Sequence, residues 1–347
     1  MTTPLVSILM VARNAAAYID AAIQSAREQS ISDLEIIVVD DGSVDATANI
    51  ARDHARRDAR VRVIPGPVRG LSAVRNASLA EARGQFAAIL DSDDILHPRH
   101  LEWLIAPHPV GPVEIRAANM VEFEAAAEGF DARAFARGSA WEQARMITTK
   151  EFVERGMIGN RDVSLGYLKP LLDLGFLRQN GIRYDERLRI GEDFDLILRA
   201  MLAGARYLYM PQASYYYRKH SSSTSHRLSR ADLEGLLHAT CDYRGGDQGD
   251  VLTLLQNRRD NLAGALMHVE AIDAIKKGRL LHAVRHMATD RTARRLTIAS
   301  LQEAWLKRLS KTRSVGARPA SASLQQNEAL PDRLCRISQS LTSATSR

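Results

Sequence analysis

The sequence is poor in cysteine and in aromatic residues, and it has no long apolar run. Two cysteines occur in 347 residues, without metal-type spacing or a disulfide framework, which favours a reducing compartment. Apolar stretches such as residues 86–90 fall far short of the roughly 20 residues that cross a bilayer, so no transmembrane helix is predicted. The first residues lack the pattern of a signal peptide, and we expect a cytoplasmic protein.

Two common nucleotide-binding motifs are also absent. No G-x-G-x-x-G follows a predicted strand, which disfavours a dinucleotide-dependent oxidoreductase. No G-x-x-x-x-G-K-[ST] occurs, which excludes the P-loop class. If the protein binds phosphate groups, we therefore expect a metal ion to hold them.

The composition is that of a folded protein with an uneven distribution of charge. Hydrophobic residues make up 45% of the chain and charged residues 25%, enough for one or two cores. The net charge is +6, but residues 258–313 alone hold 13 Lys and Arg against 5 Asp and Glu. The basic character therefore belongs to the carboxyl-terminal part, and residues 1–257 are slightly acidic.

Apolar runs alternate with helical patterns over the first 90 residues. Four strands are predicted, at residues 6–11, 34–39, 61–64 and 86–90. Three helices are predicted between them, at residues 15–29, 44–57 and 72–83. This order is typical of an α/β protein with an open, doubly wound, mainly parallel sheet, which binds ligands beyond the carboxyl ends of its strands.

The pattern weakens from about residue 107 to 161, where one helix is predicted over 141–155. It returns with a helix from residue 192 to about 204, which is followed by two predicted strands at 205–210 and 213–217.

The remainder of the chain is predicted to be helical and basic. Leucine, alanine and arginine recur at helical spacing over residues 226–313, and residues 314–347 are expected to form a loosely ordered tail. Segment 258–313 suits either adsorption to anionic lipid through an amphipathic face or a helical cap with a solvated basic face. Trp305 is its one aromatic residue, which disfavours nucleic-acid binding.

An acidic turn, Asp-Ser-Asp-Asp, follows the predicted strand at residues 86–90. Asp91 and Asp93 could converge on one divalent cation and leave positions for phosphate oxygens. The alternative is that Ser92 or Asp93 caps the next helix.

Asp40 and Asp41 stand at the end of the predicted strand at residues 34–39. One of these carboxylates could accept hydrogen bonds from a base or a ribose, whereas the alternative is an ordinary Asp-Gly turn.

Each of the other charged candidate residues has two interpretations. Arg75 suits a nucleotide phosphate or base edge, or it is a solvated helix arginine. In the pair Glu192 and Asp193, Asp193 could act as a general base, although helix starts favour acidic residues for dipole reasons alone. Arg218 and His220 could hold a diphosphate or complete a metal shell, or they end an aromatic edge strand.

Two histidine pairs have spacings that a metal could use, but neither has an HExxH pattern or nearby thiols. We assign His97 with His100, and His282 with His286, to surface or core packing.

Five motifs in order resemble those of the family 2 glycosyltransferases. The motifs are Val-Ser-Ile-Leu at 6–9, Arg-Asn-Ala at 13–15, Glu-Ile-Ile-Val-Val-Asp-Asp-Gly-Ser at 35–43, Gly-Leu-Ser-Ala-Val-Arg-Asn at 70–76 and Leu-Asp-Ser-Asp-Asp at 90–94. The resemblance as a whole covers roughly residues 4–225. The resemblance implies a GT-A fold with a carboxyl-terminal helical extension. Its catalytic domain would cover residues 1–225, with the nucleotide-sugar half at 1–106 and the acceptor half at 107–225.

The resemblance also implies roles for single residues. Asp41 would contact uracil, with Asp40 beside it, and Asp91 and Asp93 would form the DxD motif, with Asp93 as the main ligand of Mn²⁺ or Mg²⁺. Asp193 would be the base that deprotonates the acceptor.

Glu192 and Asp193 match the family's later acidic pair. The segment from Tyr217 to His220 is similar to a closing Tyr-Arg-x-His motif, which would place Arg218 and His220 near the diphosphate. Val11 departs from the family pattern, in which many members carry proline, and this affects local loop geometry.

The implied reaction is an inverting transfer of a hexose, glucose, from a UDP-sugar to a lipid-linked oligosaccharide in succinoglycan-like exopolysaccharide synthesis. Peripheral membrane contact through residues 258–313 would bring the enzyme to that acceptor. Two alternatives stay open: a nucleotidyltransferase that makes nucleotide sugars, and an inactive sugar-nucleotide-binding subunit of a polysaccharide assembly complex.

Overall fold

The computed structural model describes residues 3–126, 129–220, 228–243 and 249–311. These residues form two compact units. The first contains the described residues up to 152 together with 163–220, and the second contains 153–162 together with 228–243 and 249–311.

The amino-terminal half of the first unit is an alternation of parallel strands and helices. Its elements are β1 (Val6–Ala12), α1 (Ile19–Arg27), β2 (Leu34–Asp40), α2 (Thr47–Arg57), β3 (Val61–Pro65), α3 (Leu71–Glu81) and β4 (Phe86–Ile89). The strands lie in the order β3-β2-β1-β4, and all three pairings are parallel. Almost every residue of β1 and β2 is buried, as expected for strands covered on both faces.

These elements confirm the four strands and three helices predicted from the sequence. Since all four strands are parallel, their carboxyl ends share one edge of the sheet, with Asp40 at the end of β2 and Asp91 just beyond β4.

The other half of the sheet is mixed. Its elements are β5 (Ile95–Leu96), α4 (His100–Ile105), β6 (Ile115–Ala126), β7 (Gly129–Ala134), β8 (Arg145–Ile147), α5 (Thr149–Arg155), β9 (Leu171–Asp173), α6 (Leu174–Gln179), α7 (Glu192–Leu202) and β10 (Tyr207–Lys219). Strand β9 lies between β4 and β6 and is antiparallel to both, and β10 is parallel to β6. The sheet thus continues as β4-β9-β6-β10-β5.

Two predictions in this half are wrong. The helix predicted over residues 141–155 is a short 3-10 turn at Ser139–Trp141, strand β8 and helix α5. Pairing of β8 with β10 overrides the helical pattern there, and the Thr148 hydroxyl accepts a hydrogen bond from the Glu151 N–H at the start of α5.

The two strands predicted at residues 205–210 and 213–217 are one strand, β10. Its register against β6 shifts between Met210 and Ala213 and again before Tyr215. The irregularity accommodates Pro211, which cannot donate a ladder hydrogen bond, while the strand itself continues.

The described part of the second unit confirms the predicted helical extension. Its helices are α8 (Arg230–Asp242), α9 (Gly249–Lys276), α10 (Leu280–Thr289) and α11 (Arg291–Lys311). Helix α8 begins with a capping box formed by Ser229 and Asp232. Among the described residues, no helix is long and apolar enough to cross a membrane. The predicted tail at residues 314–347 and the predicted boundary near residue 226 lie outside the described residues.

The histidine pairs pack as expected. His100 is buried, and its Nδ1 lies 2.8 Å from the Ser214 hydroxyl, while the His97 ring stacks on Trp103. The rings of His282 and His286 lie against each other, 5.9 Å between centroids.

Candidate active site

Two of the predicted site residues lie where β2 ends. The Asp41 backbone N–H donates to the Ala12 carbonyl over 2.8 Å, which ties the ends of β1 and β2 together. Asp41 Oδ1 accepts a hydrogen bond of 2.7 Å from the Val68 N–H. Asp40 Oδ1 is buried and finds no hydrogen-bond partner among the described residues. The predicted Asp-Gly turn is therefore present. The Asp40 carboxylate beside it still has an oxygen that can accept a hydrogen bond from a ligand.

Asp91, just beyond β4, is paired with two cations. Its Oδ1 lies 3.1 Å from Arg75 Nη2, and its Oδ2 lies 2.8 Å from Lys169 Nζ. Burial opposes ionisation of Asp91, but the charges of Lys169 and Arg75 outweigh it and lower its pKa to about 2. The Arg75 side chain is 5% exposed, so its interpretation as a solvated helix arginine is wrong.

Glu192 and Asp193 open α7 and contact the same cations. Asp193 Oδ2 lies 3.0 Å from Lys169 Nζ and 3.5 Å from Arg75 Nη2. Asp193 Oδ1 accepts a hydrogen bond of 3.1 Å from the Tyr184 hydroxyl. Glu192 Oε1 lies 3.6 Å from Arg75 Nε. Residues that are far apart in the sequence thus form one buried charge cluster.

The two neighbouring carboxyl groups of α7 have opposite pKa shifts. Burial raises the pKa of Glu192, and repulsion from Asp193 adds to it, so the pKa reaches about 7. Burial also opposes ionisation of Asp193, but Arg75 and Lys169 hold its pKa below the ordinary value. Asp193 is therefore an anion at neutral pH, whereas Glu192 exchanges its proton near neutrality.

The rest of the acidic turn is tied to the end of β10. Asp94 is fully buried and accepts hydrogen bonds from the Tyr215 hydroxyl (2.7 Å) and the Arg218 N–H (2.8 Å). The Tyr215 oxygen also accepts from the Asp91 N–H, and Arg218 Nε donates to the Asp93 carbonyl. The chain then enters β5, and the next helix begins at His100, so the helix-cap interpretation is wrong.

Asp93 and His220 form a pair at this edge of the sheet. His220 Nε2 lies 2.8 Å from Asp93 Oδ2, and its ring stacks on Tyr18 with 5.1 Å between centroids. The guanidinium of Arg218 lies over the rings of Tyr18 and Phe123, at 5.1 and 4.7 Å. The aromatic contacts fix both basic side chains beside the acidic turn.

Asp93 and His220 could supply two of the ligands of Mn²⁺ or Mg²⁺, with the other ligands coming from outside the protein. Within the described ranges, no group of three or more His, Cys, Asp or Glu side chains is arranged to hold a metal by itself. One carboxylate and one imidazole leave the other positions to phosphate oxygens and water, which these hard cations accept.

Comparison with known proteins identifies the family. A family model described as Glycosyl transferase family 2 matches residues 7–127. Succinoglycan biosynthesis protein ExoO of Rhizobium meliloti (strain 1021) is 34% identical over 239 residues, which cover 68% of this chain and 67% of that protein. ExoU of the same organism is 36% identical over 241 residues, covering 67% and 68%. The chain belongs to glycosyltransferase family 2.

Solved structures agree on the fold of this family 2 glycosyltransferase. The structure of S. aureus TarS 1-349 in complex with UDP-GlcNAc has a TM-score of 0.60 at 18% identity and covers 80% of this chain and 89% of its own. Mannosyltransferase PcManGT from Pyrobaculum calidifontis, in complex with GDP-Man and Mn²⁺, has a TM-score of 0.51 at 16% identity and covers 100% and 87%. The first unit therefore has the GT-A fold, and membership of the family makes the protein a transferase.

Three residues that the sequence does not indicate complete the candidate site. Lys169 and Tyr184 contact Asp193, and Tyr215 ties Asp91 to Asp94. No motif marks Lys169 or Tyr184, which lie between the weakly patterned segment at 107–161 and the helix predicted from residue 192. The aromatic run of β10 signals a buried strand but does not reveal the partner of Tyr215.

Glu192→Gln is expected to stabilise the protein increasingly as the pH rises. The raised pKa of Glu192 contributes stability below about pH 4.5, which is lost as the pH passes about 7, because a buried carboxyl must then ionise. The amide cannot ionise, so the melting temperature of the variant minus that of the wild type should increase by about 3 °C or more between pH 5 and pH 8. Glu186→Gln, at an exposed glutamate, controls for loss of a carboxylate as such. A difference that is constant or that falls with pH contradicts the assignment.

Proposed function

We propose that this protein transfers a hexose, glucose, from UDP-glucose to a lipid-linked oligosaccharide with inversion, in a succinoglycan-like exopolysaccharide pathway. Relatives named succinoglycan biosynthesis proteins support the pathway. A structural neighbour that holds UDP-GlcNAc supports a UDP-sugar donor. The observation that carries the reaction is that Asp91 and Asp193 contact the same two cations, Arg75 and Lys169. The buried Asp193 carboxylate, the proposed base, thus lies close to Asp91, at the carboxyl ends of the parallel strands, where the nucleotide sugar would bind.

The nucleotide would bind along the strand ends. Asp41 and the buried Asp40 oxygen, which has no partner among the described residues, would accept hydrogen bonds from uracil and ribose. Arg218 and His220 would lie near the diphosphate, and Arg75 and Asp91 would lie by the donor sugar. Because Arg75 and Lys169 are paired with both oxygens of Asp91, we assign the metal contact to Asp93, with His220 beside it.

Asp193 would take the proton of the attacking hydroxyl. The acceptor oxygen forms its bond to the anomeric carbon while the bond from that carbon to the diphosphate oxygen breaks, and the electron pair leaves with UDP. The low pKa of Asp193 keeps its basic form populated at neutral pH, and the hydroxyl becomes more acidic as its new bond forms. A divalent cation at Asp93, when bound, would offset the charge that builds on the departing diphosphate.

Glu192 would bind substrate beside Asp193 and would not itself act as the base. Glu192 lies 3.6 Å from Arg75 and is 9% exposed, and its raised pKa leaves it partly protonated at neutral pH. We assign it to substrate binding, where a protonated carboxyl can donate a hydrogen bond to a sugar hydroxyl.

The described part of segment 258–313 suits contact with a membrane that carries the acceptor. On α10, Leu280, Leu281 and Val284 share a face and are 63%, 89% and 60% exposed. The exposed cations Lys276, Arg279 and Arg285 lie on or beside this helix.

Helix α11 repeats the pattern in its described part. Ile298, Leu301 and Trp305 recur at helical spacing and are 43%, 43% and 62% exposed, with Arg294 and Arg295 exposed nearby. Exposed apolar side chains among cations are typical of helices that lie on anionic lipid.

Asp193→Asn should abolish most of the turnover. We expect UDP release from UDP-glucose, with Mn²⁺ or Mg²⁺ and membrane extract carrying lipid-linked oligosaccharides, to fall on the order of 10³-fold, since the base is lost. Binding of UDP alone, measured by calorimetry, should persist. Asp53→Asn changes a half-exposed aspartate on α2 in the same way and should leave the rate unchanged.

The same assay separates the alternative functions. Release of pyrophosphate from UTP and a sugar phosphate would favour the nucleotidyltransferase. UDP binding without any turnover by the wild type, over a panel of UDP-sugars, would favour the inactive subunit and contradict the proposal.

A double variant, Leu281→Ser with Val284→Ser, should weaken membrane contact. We expect the fraction that sediments with phosphatidylglycerol-containing vesicles to fall on the order of ten-fold, because two exposed apolar side chains are lost from the contact. Added salt should weaken binding of the wild type, and pure phosphatidylcholine vesicles should bind it poorly. Leu252→Ser alters another exposed leucine of the second unit, 60% exposed, and should bind normally. Equal binding of all three proteins would contradict a membrane contact through the apolar face of α10, and absence of wild-type binding would contradict membrane contact by segment 258–313.

A further inference from the structure

Lys169 is a buried cation between two carboxylates that belong to different parts of the chain. Its Nζ lies 2.8 Å from Asp91 Oδ2 and 3.0 Å from Asp193 Oδ2, and the side chain is 10% exposed. Both distances are those of charge-assisted hydrogen bonds. Burial would lower the pKa of the ammonium, but Asp193 and Asp91 hold it above the ordinary value, so Lys169 stays charged.

The sheet determines where Lys169 lies. Strand β9 is antiparallel to β4, with Leu171 opposite Ala88. The segment that precedes β9 therefore lies at the carboxyl end of β4, and a residue two positions before Leu171 comes beside Asp91. Lys169 is thus anchored to the same strand end as the acidic turn, while Asp193 reaches it from the first turn of α7.

Lys169 and Tyr184 together fix both oxygens of the Asp193 carboxylate. Lys169 holds Oδ2, and the Tyr184 hydroxyl donates to Oδ1 over 3.1 Å. Each oxygen keeps a second lone pair, so a proton can be accepted without loss of either bond. Arg75 contacts Asp91 and Asp193 as well, at 3.1 and 3.5 Å, but its contact to Asp193 is longer than that of Lys169.

We propose that Lys169 is a positioning residue of the transfer reaction, which links Asp91 to Asp193 and so fixes the base relative to the donor sugar. The inference rests on the proposed function, in which Asp193 takes the acceptor proton as the new bond to the anomeric carbon forms and the bond to the diphosphate oxygen breaks. Lys169 itself exchanges no proton in this step. It acts through Asp193, by holding that carboxylate where the acceptor hydroxyl must approach.

Lys169→Met tests the link, since methionine keeps most of the length of the side chain and removes its charge and donors. We expect kcat of UDP release to fall on the order of 10²-fold, because a misplaced catalytic group costs about that much. The Kd of UDP alone, which reports on the strand-end site at Asp41, should stay within about two-fold of the wild type. Lys169→Arg should restore part of the rate, and Lys150→Met, at an exposed lysine, should have no effect.

A double-variant cycle distinguishes positioning from general damage. If Lys169 acts through Asp193, adding Lys169→Met to Asp193→Asn should cost less than about three-fold, because the group that it positions has already lost its function. The same 10²-fold loss in both backgrounds, or an unchanged rate for Lys169→Met alone, would overturn the inference. Melting temperatures and circular dichroism establish folding of each variant, and Lys169→Gln, which keeps polarity, replaces the methionine variant if that one fails to fold.

The two proposals fail differently. Absence of UDP release by the wild type with every donor contradicts the transfer reaction itself. Normal wild-type turnover that survives loss of the Lys169 charge contradicts only the positioning role.

Discussion

Neutralisation of buried positive charge is the constraint on which the centre of this protein depends. Arg75 and Lys169 are 5% and 10% exposed, and a charge removed from water costs several kcal/mol unless it is paired. The carboxylates that pair with them, Asp91 and Asp193, stand at the end of β4 and the start of α7. The fold must therefore bring these segments together, and doing so places the Asp193 carboxylate close to Asp91, at the carboxyl ends of the parallel strands.

The three aspartates of the acidic turn differ in burial and therefore in the partners that they contact. Asp91 is paired with the two buried cations, and Asp94 is fully buried on the Tyr215 hydroxyl and the Arg218 N–H. Asp93, whose side chain is 32% exposed, lies beside His220. The buried carboxyl groups anchor the turn, and the Asp93 carboxylate stays accessible to solvent.

The parallel half of the fold could be predicted because its signals are local. Buried parallel strands appear as continuous apolar runs, and Asp40 and Asp91 stand where those runs stop. The mixed half depends on pairing between distant segments, and β8 forms as a strand because β10 is beside it. The role of Lys169 could not be predicted, because it too depends on contacts between segments that are distant in the sequence. A lysine followed by proline, outside any motif, does not indicate which carboxylates it will contact.

The helical second unit could be predicted in part. Its spacing of leucine, alanine and arginine predicted helices, and the described helices α8 to α11 confirm them. Which side chains stay exposed depends on packing, which the spacing alone does not give.

The stereochemistry of the product tests most directly whether the transfer is a single displacement with Asp193 as the base. The measurement is the anomeric configuration, by nuclear magnetic resonance, of the glycoside that forms from an α-linked UDP-sugar. Attack from the face opposite the departing diphosphate predicts a β-glycoside. An α-glycoside would contradict the account, because it requires retention of configuration, which one displacement cannot give.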